Sequence, residues 1–369
     1  MYIDLRHLTL NRDYHQRGFK HLNSVINRIT KRARSAAEDK TTYTVTYKPN
    51  SSCIAPSGNT HDYYSLARYY FPDNTKPPPH EPYIQWDGHV NQEIFSIPYK
   101  AWLQTVTDDV FHAGLAYFWT GNVTFAEMGV RRVRDWWVRN ETAVTPHLMY
   151  ADWVKGVRDP YYPDGSVIPG MNVETGGIID MSKMYQVFDG LSLLSPSNLW
   201  TPTDTTVFTT WLTRYANWLL TSPRGIAELQ NQNNHATWFD VQYYSILLHL
   251  RNTSTILSSI KNQTLPRLPL QILPTGQQPL ETSRPLSWHY SNYNLQGLFI
   301  LARLASSIGV NLYDYSTSDG GGSIKKALDY LIPHALSNGT TWPFANVGEF
   351  EMDIFAENLK EGFLAYRER

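Results

Sequence analysis

The sequence has few of the features that usually mark a class of function. Its single cysteine, Cys53, allows no internal disulfide, which excludes a disulfide-stapled scaffold. No apolar run reaches the roughly 18 residues that a transmembrane helix needs. The formal net charge is −1, which excludes a broad basic face for nucleic acid or an anionic membrane. A polyanionic partner would therefore need a positive potential confined to a cleft.

Motifs of common metal and cofactor sites are also missing. The chain contains no HExxH, no paired CxxC, no EF-hand spacing, no P-loop, no Rossmann glycine fingerprint and no G-x-S-x-G elbow. His61 and His147 could in principle join carboxylates around zinc, which is the weaker interpretation. We expect no metal, no cofactor, no nucleic acid and no membrane partner, and a monomeric protein.

Two features of the sequence bear on localisation. The N-terminal residues 1–6 lack the apolar run of a signal peptide, whereas N-x-Ser/Thr sequons are frequent. Six of them occur, at Asn50, Asn122, Asn140, Asn252, Asn262 and Asn338. Sequons indicate glycosylation, so we expect a secreted, extracellular glycoprotein whose leader is absent from this chain.

Apolar residues recur at the spacing of one buried helix face through most of the chain. The pattern is clearest in residues 103–117, 208–219, 239–250 and 295–305. Further helices are predicted at residues 15–38, 124–137, 180–193, 205–221, 323–337 and 350–366. A capping box at Thr124 and Glu127 starts the helix predicted at 124–137, and Pro202 and Asp204 precede the helix predicted at 205–221. Three basic side chains are interpreted as a solvated helix face: Arg131, Arg132 and Arg134.

Evidence for strands is limited to the alternating segment Tyr43–Tyr47. Residues 48–97 and 261–287 are predicted to form long loops, which are usually functional in a compact domain. Residues 146–177 form another irregular stretch. The sequence therefore predicts an all-α protein. Because no break in composition divides it, we expect a single domain over residues 1–369.

Two polar clusters stand where long helices are predicted to begin. One is Asn233-Asn234-His235, and the other runs from Arg284 to Tyr290. Taken alone, the first cluster is explained by an ordinary helix N-cap. Together they supply an amide, an imidazole, a guanidinium and a phenol. These groups suit removal of a proton beside a carboxylate, since the first three can neutralise it. A phenol beside cations is expected to ionise below its usual pKa of about 10.

The order of short motifs resembles the alginate lyase superfamily. The segments 57–65 and 70–73 are similar to its SGxxHDYxS and YxxPD blocks, and residues 82–84 and 87–88 continue them. Later blocks match in order at 146–151, 177–180 and 233–242. The resemblance covers about residues 55–306. It includes polysaccharide lyase families five and thirty-eight, and the six-residue step from Arg284 to Tyr290 is closer to family thirty-eight. At Thr282-Ser283 and Met171 the sequence departs from the usual pattern.

The resemblance implies an incomplete α/α toroid of six or seven helical hairpins with long loops, and a deep groove. It implies that Tyr290 is base and acid, that His235 and Arg284 neutralise a uronate carboxylate, and that Asn234 holds it. An alternative keeps Tyr290 as acid and makes His235 the base. Weaker candidates for contacts with an anionic polysaccharide are Asn172, Asn233, Trp238, His61, Tyr63, His147 and Tyr150. For His61 and Tyr63, bracing of the groove is favoured over direct contact.

The predicted reaction is β-elimination in a β-1,4-linked polyuronate, either mannuronate-rich alginate or glucuronan, which leaves a 4,5-unsaturated end. Two other classes stay open from the sequence. One is a glycoside hydrolase on a similar helical barrel, with Asp152 and Glu174 as its carboxylate pair. The other is a non-catalytic protein that binds polyuronates.

Overall fold

A computed structural model describes residues 3–157, 175–317 and 320–367. These residues are mostly helical, as predicted. The chain divides into two compact units, each built from three segments of sequence. The first unit comprises Met1–Ala67, Gln92–Trp153 and Asp180–Ser222, and the second comprises Arg68–Asn91, Val154–Ile179 and Pro223–Arg369. The single domain expected from the sequence stays a prediction.

The first unit holds six α-helices and two short strands among its described residues. They are α1 Leu5–Gln16, α2 Asn23–Glu38, β1 Tyr64–Leu66, α3 Tyr99–Thr120, α4 Val123–Val133, β4 Tyr150–Trp153, α5 Met184–Leu194 and α6 Pro202–Thr221. Short 3₁₀ turns lie at Ser51–Cys53, Gln92–Ser96 and Ser195–Ser197, and a π-helical turn at Arg134–Val138 extends α4. Strands β1 and β4 pair in parallel, with Tyr64 opposite Tyr150.

The helix starts show which caps the sequence identified correctly. Helix α6 begins with a full capping box, in which Thr201 and Asp204 bond each other's backbone N–H, and Pro202 follows the cap. The capping box predicted at Thr124 is wrong. Asn122 is the cap of α4, because its side chain accepts the N–H of Thr124 and the helix already begins at Val123.

Two other predictions in the first unit are wrong. The alternating segment 43–47 contains a turn at residues 45–46 and no strand. The arginines of α4 are not all solvated, because Arg132 is buried and bonds Asp109 at 3.0 Å. Arg134 donates two hydrogen bonds to Asp204 at 2.9 and 2.6 Å. A charged side chain on a helix therefore does not mark a solvated face when carboxylates face it.

The second unit contains the remaining elements. They are β2 Tyr70–Phe71, β3 Ile84–Gln85, α7 Pro223–Leu229, α8 Asn234–His249, α9 Thr253–Ser259, α10 Leu265–Gln271, α11 Pro279–Thr282, α12 Ser287–Ser306, α13 Ile324–Leu336 and α14 Asp353–Tyr366. A π-helical turn at Ile260–Thr264 joins α9 to α10, and a 3₁₀ turn spans Gly176–Met181. The loop predicted over 261–287 is thus largely helical. Pro266 and Pro279 lie at helix starts, where proline is tolerated, whereas Pro269 lies inside α10.

Helices α8 and α12 pack closely and position the residues at their first turns. A Cβ added to Gly297 would lie 2.9 Å from Thr237 and 3.2 Å from the ring of Trp238, so only glycine allows this approach. Strands β2 and β3 are antiparallel, with Tyr70 opposite Gln85. Across the described ranges, no helix is long and apolar enough to cross a bilayer.

Candidate active site

The predicted catalytic side chains all lie in the second unit, three of them at helix starts and Arg284 in the connection between α11 and α12. Asn233 is the N-cap of α8, and its side-chain oxygen accepts the N–H of His235 at 3.1 Å. This bond satisfies one of the N–H groups that every helix start leaves unpaired. Helix capping is therefore sufficient to explain an asparagine at position 233. It places Asn234 and His235 in the first turn of α8, as Tyr290 is in the first turn of α12.

Tyr290 is the centre of one group of contacts. Its hydroxyl forms a 2.7 Å hydrogen bond with the hydroxyl of Tyr69, and the guanidinium carbon of Arg284 lies 3.9 Å from its ring centre. The side chain is 7% exposed. Burial raises the pKa of Tyr290 above its usual value and the Tyr69 hydroxyl adds to the rise, while Arg284 only partly opposes it. The expected lowering of this pKa by neighbouring cations is therefore wrong for the protein without substrate.

Arg284 is held by Asp87. Its Nε and Nη2 each donate to one carboxylate oxygen of Asp87 at 2.7 Å, which is the two-pronged geometry that fixes a guanidinium most firmly. Burial alone would lower the pKa of Arg284, but the hydrogen bond to Asp87 and the nearby Tyr290 raise it. The guanidinium therefore stays charged, and Nη1 is the nitrogen that Asp87 does not engage.

Asn234 is held by Glu281 in the same way. The backbone N–H and the side-chain amide of Asn234 donate to the two oxygens of Glu281 at 2.6 and 2.7 Å. The other amide atom, Oδ1, is buried and has no hydrogen-bond partner among the residues that the structure describes. Burial raises the pKa of Glu281 to about 7, although Asn234, His235 and Arg284 act against the rise. Glu281 therefore lies close to three of the predicted residues.

His235 is held by a third carboxylate. Its Nδ1 lies 2.8 Å from Oε1 of Glu228, whose side chain is 0% exposed. The other oxygen of Glu228 accepts from Thr175 at 2.6 Å and from Asn231 at 2.8 Å. A carboxylate accepts hydrogen bonds, so Nδ1 of His235 carries the hydrogen in this arrangement.

The structure places the weaker candidates differently. Trp238 is buried and stacks on Tyr293, with ring centres 4.7 Å apart, so it belongs to the packing of α8 on α12. Tyr63, in the first unit, is 0% exposed and donates to Asp180 at 2.8 Å. Neither ring can lie along a sugar in this structure, so the predicted substrate contact of Trp238 is corrected to a role in packing. The surroundings of Tyr63 are consistent with the favoured bracing role. Asn172 and Glu174 lie outside the described residues.

The remaining candidates also lie in the first unit. His61 donates from Nδ1 to the carbonyl of Ala143 at 2.7 Å, which is consistent with bracing. Nε2 of His147 lies 3.3 Å from Asp62, and burial lowers the pKa of His147. Tyr150 is mostly buried in β4 beside the ring of His147. Within the described ranges, no three His, Cys, Asp or Glu side chains group as metal ligands would.

Sequence reasoning assigned no role to four side chains that complete these contacts. They are Tyr69, Asp87, Glu228 and Glu281. Glu281 stands three residues before Arg284, a spacing that shares a helix face and could have suggested contact. For Tyr69 and Asp87, the partners depend on how distant segments pack, since Tyr69 is 221 residues from Tyr290 and Asp87 is 197 residues from Arg284. Glu228 lies seven residues before His235, and their contact depends on how α7 meets α8.

The chain is similar to known proteins of one family. The model of the alginate lyase family matches residues 46–342. An alginate lyase structure from Bacteroides ovatus is 27% identical and has a TM-score of 0.87, over 98% of this chain and 91% of that one. An alginate lyase structure from a Sphingomonas species is 14% identical with a TM-score of 0.54, over 92% and 87%. No curated protein sequence matches.

These matches confirm the predicted fold class, an all-α chain with the α/α toroid fold of those lyases. They also decide between the classes of function left open by the sequence. A hydrolase and a non-catalytic binding protein receive no support, and Asp152, one half of the suggested hydrolase pair, lies 3.4 Å from Lys100. The chain belongs to the alginate lyase family, and it is a polysaccharide lyase.

Proposed function

We propose that the protein cleaves a β-1,4-linked polyuronate, mannuronate-rich alginate or glucuronan, by β-elimination. The observation that carries this proposal is the contact of Tyr290 with Arg284, in a unit where Asn234 and His235 begin another helix. The Bacteroides ovatus relative is itself described as an alginate lyase. Such a polymer is met outside the cell, so secretion belongs to the same proposal.

The chemical problem is the acidity of the C5 proton. That proton leaves only when the negative charge that builds up on the adjacent carboxylate is offset. Arg284 brings a fixed charge and His235 an imidazole, while Asn234 brings an amide. Fixed donors aimed at developing charge commonly contribute several kcal/mol each to such a step. Three neighbouring carboxylates hold these donors in place before substrate arrives, which lowers the cost of organising them.

Proton transfer to the leaving oxygen is assigned to Tyr290. Its raised pKa means that the phenol carries its proton in the free protein, as an acid must. As base, Tyr290 would first have to lose this proton. Binding would have to overcome the burial that raises its pKa. The burial of Tyr290, which raises its pKa, favours the second assignment, in which His235 takes the C5 proton and Tyr290 gives one to O4.

The test is incubation with polymannuronate, polyguluronate, glucuronan and hyaluronan side by side. We expect ultraviolet absorbance from the 4,5-unsaturated product on polymannuronate or glucuronan. New reducing ends without this absorbance would indicate hydrolysis and overturn the proposal.

The same assay with Tyr290→Phe examines the role of the phenol. Turnover should fall below detection while oligouronate affinity stays within about threefold, since only a transition-state interaction is removed. Tyr330→Phe, which removes a phenol from α13, is the matched control and should keep full activity. Normal turnover by Tyr290→Phe would refute the assignment.

A further inference from the structure

The hydrogen bond between His235 and Glu228 joins a partly exposed imidazole to a fully buried carboxylate. Glu228 belongs to α7 and His235 to the first turn of α8, seven residues later. The carboxylate is 0% exposed, whereas the imidazole is partly exposed. Glu228 therefore engages the imidazole through Nδ1, and Nε2 is the ring nitrogen that Glu228 does not engage.

Glu228 is itself fixed on both oxygens. Oε1 faces His235, and Oε2 accepts from Thr175 Oγ1 and Asn231 Nδ2. A buried carboxylate is costly unless its oxygens are satisfied, and these three donors satisfy it. The network leaves Glu228 little freedom to turn, so the imidazole bonded to it is also held in one orientation.

We propose that Glu228 is a positioning residue for the lyase reaction, which sets the tautomer, the orientation and the charge of His235. This inference rests on the proposed function for its kinetic consequences. With the hydrogen on Nδ1, a neutral imidazole has its lone pair on Nε2 and can receive the C5 proton. When that proton arrives, or when the ring is already protonated, Nε2–H can donate to the uronate carboxylate. Glu228 stabilises the resulting imidazolium in either assignment.

The first test is independent of activity. Ring-nitrogen NMR of protein labelled in histidine, with His235 assigned by comparison with His235→Ala, reports which nitrogen carries the hydrogen. We expect Nδ1–H in the neutral ring of the unmodified protein. A ring that carries its hydrogen on Nε2 would overturn the inference, even if the protein proves to be an active lyase.

The second test is kinetic and uses Glu228→Gln, which keeps the size of the side chain and removes its charge. We expect kcat on the preferred polyuronate to fall about 10- to 100-fold with little change in KM, as for other residues that orient a reacting group. The limb of the pH profile that His235 governs should move to lower pH, because the imidazolium loses its negative neighbour. Glu228→Asp, which restores the charge on a shorter arm, should recover part of the loss.

The chain provides a matched control in the same unit. His289 and Glu351 form a similar pair at 2.9 Å, but their side chains are 34% and 55% exposed and neither has a predicted role. Glu351→Gln should leave kcat and the pH profile unchanged. If Glu228→Gln behaves like Glu351→Gln, the inference is wrong. Absence of lyase activity in the unmodified protein on every polyuronate would refute the proposed function, while the NMR result would still decide the tautomer.

Discussion

At the scale of single residues, carboxylates determine how the predicted donors are presented. Asp87 takes two of the guanidinium nitrogens of Arg284, and Glu281 takes the side-chain amide N–H₂ of Asn234. Each of these acids adds negative charge close to a site that must receive a uronate. The arrangement is favourable because it fixes the direction in which Arg284 and Asn234 donate, and because Arg284 keeps its charge beside Asp87.

Glu281 should make stability depend on pH. Its pKa is about 7 when folded, against an ordinary 4.5, so the folded protein binds the proton more tightly. The stabilising effect is complete below pH 4.5 and is lost as pH rises through 7. At about 1.4 kcal/mol per pKa unit, the loss is about 3 kcal/mol. Glu281→Gln cannot ionise, so we expect its thermal midpoint to fall less between pH 5 and pH 8 than that of the unmodified protein.

Scanning calorimetry at four pH values checks this prediction. Asp329→Asn is a suitable control, because Asp329 is exposed and pairs only with Lys325 within the described chain. Its pH dependence should equal that of the unmodified protein. Parallel curves for Glu281→Gln and the unmodified protein would show that Glu281 does not titrate in this range.

At the scale of elements, glycines set how closely helices approach. In the first unit, Gly114 of α3 faces Gly190 of α5, and a Cβ on Gly190 would lie 2.5 Å from the carbonyl oxygen of Val110. Backbone atoms cannot move aside as a flexible side chain does. The periodic apolar pattern predicted both helices, but it did not show that they touch through glycine.

Gly190→Ala should therefore destabilise the protein. Alanine has a higher helix propensity than glycine, yet the added methyl group pushes α5 away from α3. We expect the free energy of unfolding to fall by about 1 to 3 kcal/mol, the usual cost of overpacking. Urea denaturation measures it. Ser192→Ala, on an exposed position of α5, should change stability by less than about 0.5 kcal/mol. A Gly190→Ala protein as stable as the Ser192→Ala control would contradict the predicted clash.

At the scale of the whole molecule, basic and acidic side chains are nearly equal in number, and their balance decides how a polyanion is attracted. The chain has 32 basic and 33 acidic side chains, so it offers a polyanion no general attraction. Attraction must come from a few cations near the reacting groups, and salt screens such contacts over about 8 to 10 Å at ordinary ionic strength.

Raising sodium chloride from 0.05 to 0.5 M should accordingly reduce kcat/KM on the preferred polyuronate about tenfold or less. The change should appear in KM, because a bound and partly buried charge is screened far less. Steady-state kinetics across this range provides the measurement, and Lys325→Gln, on the exposed surface, should leave the slope unaltered. A fall of several orders of magnitude would point to a long basic track that the composition does not predict.

The sequence by itself determined that the chain is mostly helical and which family it belongs to, and it proposed the candidate catalytic residues. Helical periodicity is local, so it located α6, α8 and α13 closely, and short motifs are local as well. It placed the start of α12 too late, at residue 295 rather than Ser287. It failed where the outcome depends on remote partners. The helices within 261–287 show this failure among the elements, and the buried Arg132 shows it among the charges. The cap of α4 is a separate, local error, since Asn122 caps it two residues before Thr124.

Only the tertiary structure decided the contacts and proton affinities of the site. Asp87 and Arg284 are 197 residues apart in sequence, and no periodicity connects them. Cations near Tyr290 suggested a lowered pKa, but burial raises it, because removal of water from a phenol outweighs one neighbouring guanidinium. Desolvation is a property of the packed molecule, and a linear pattern of residues does not contain it.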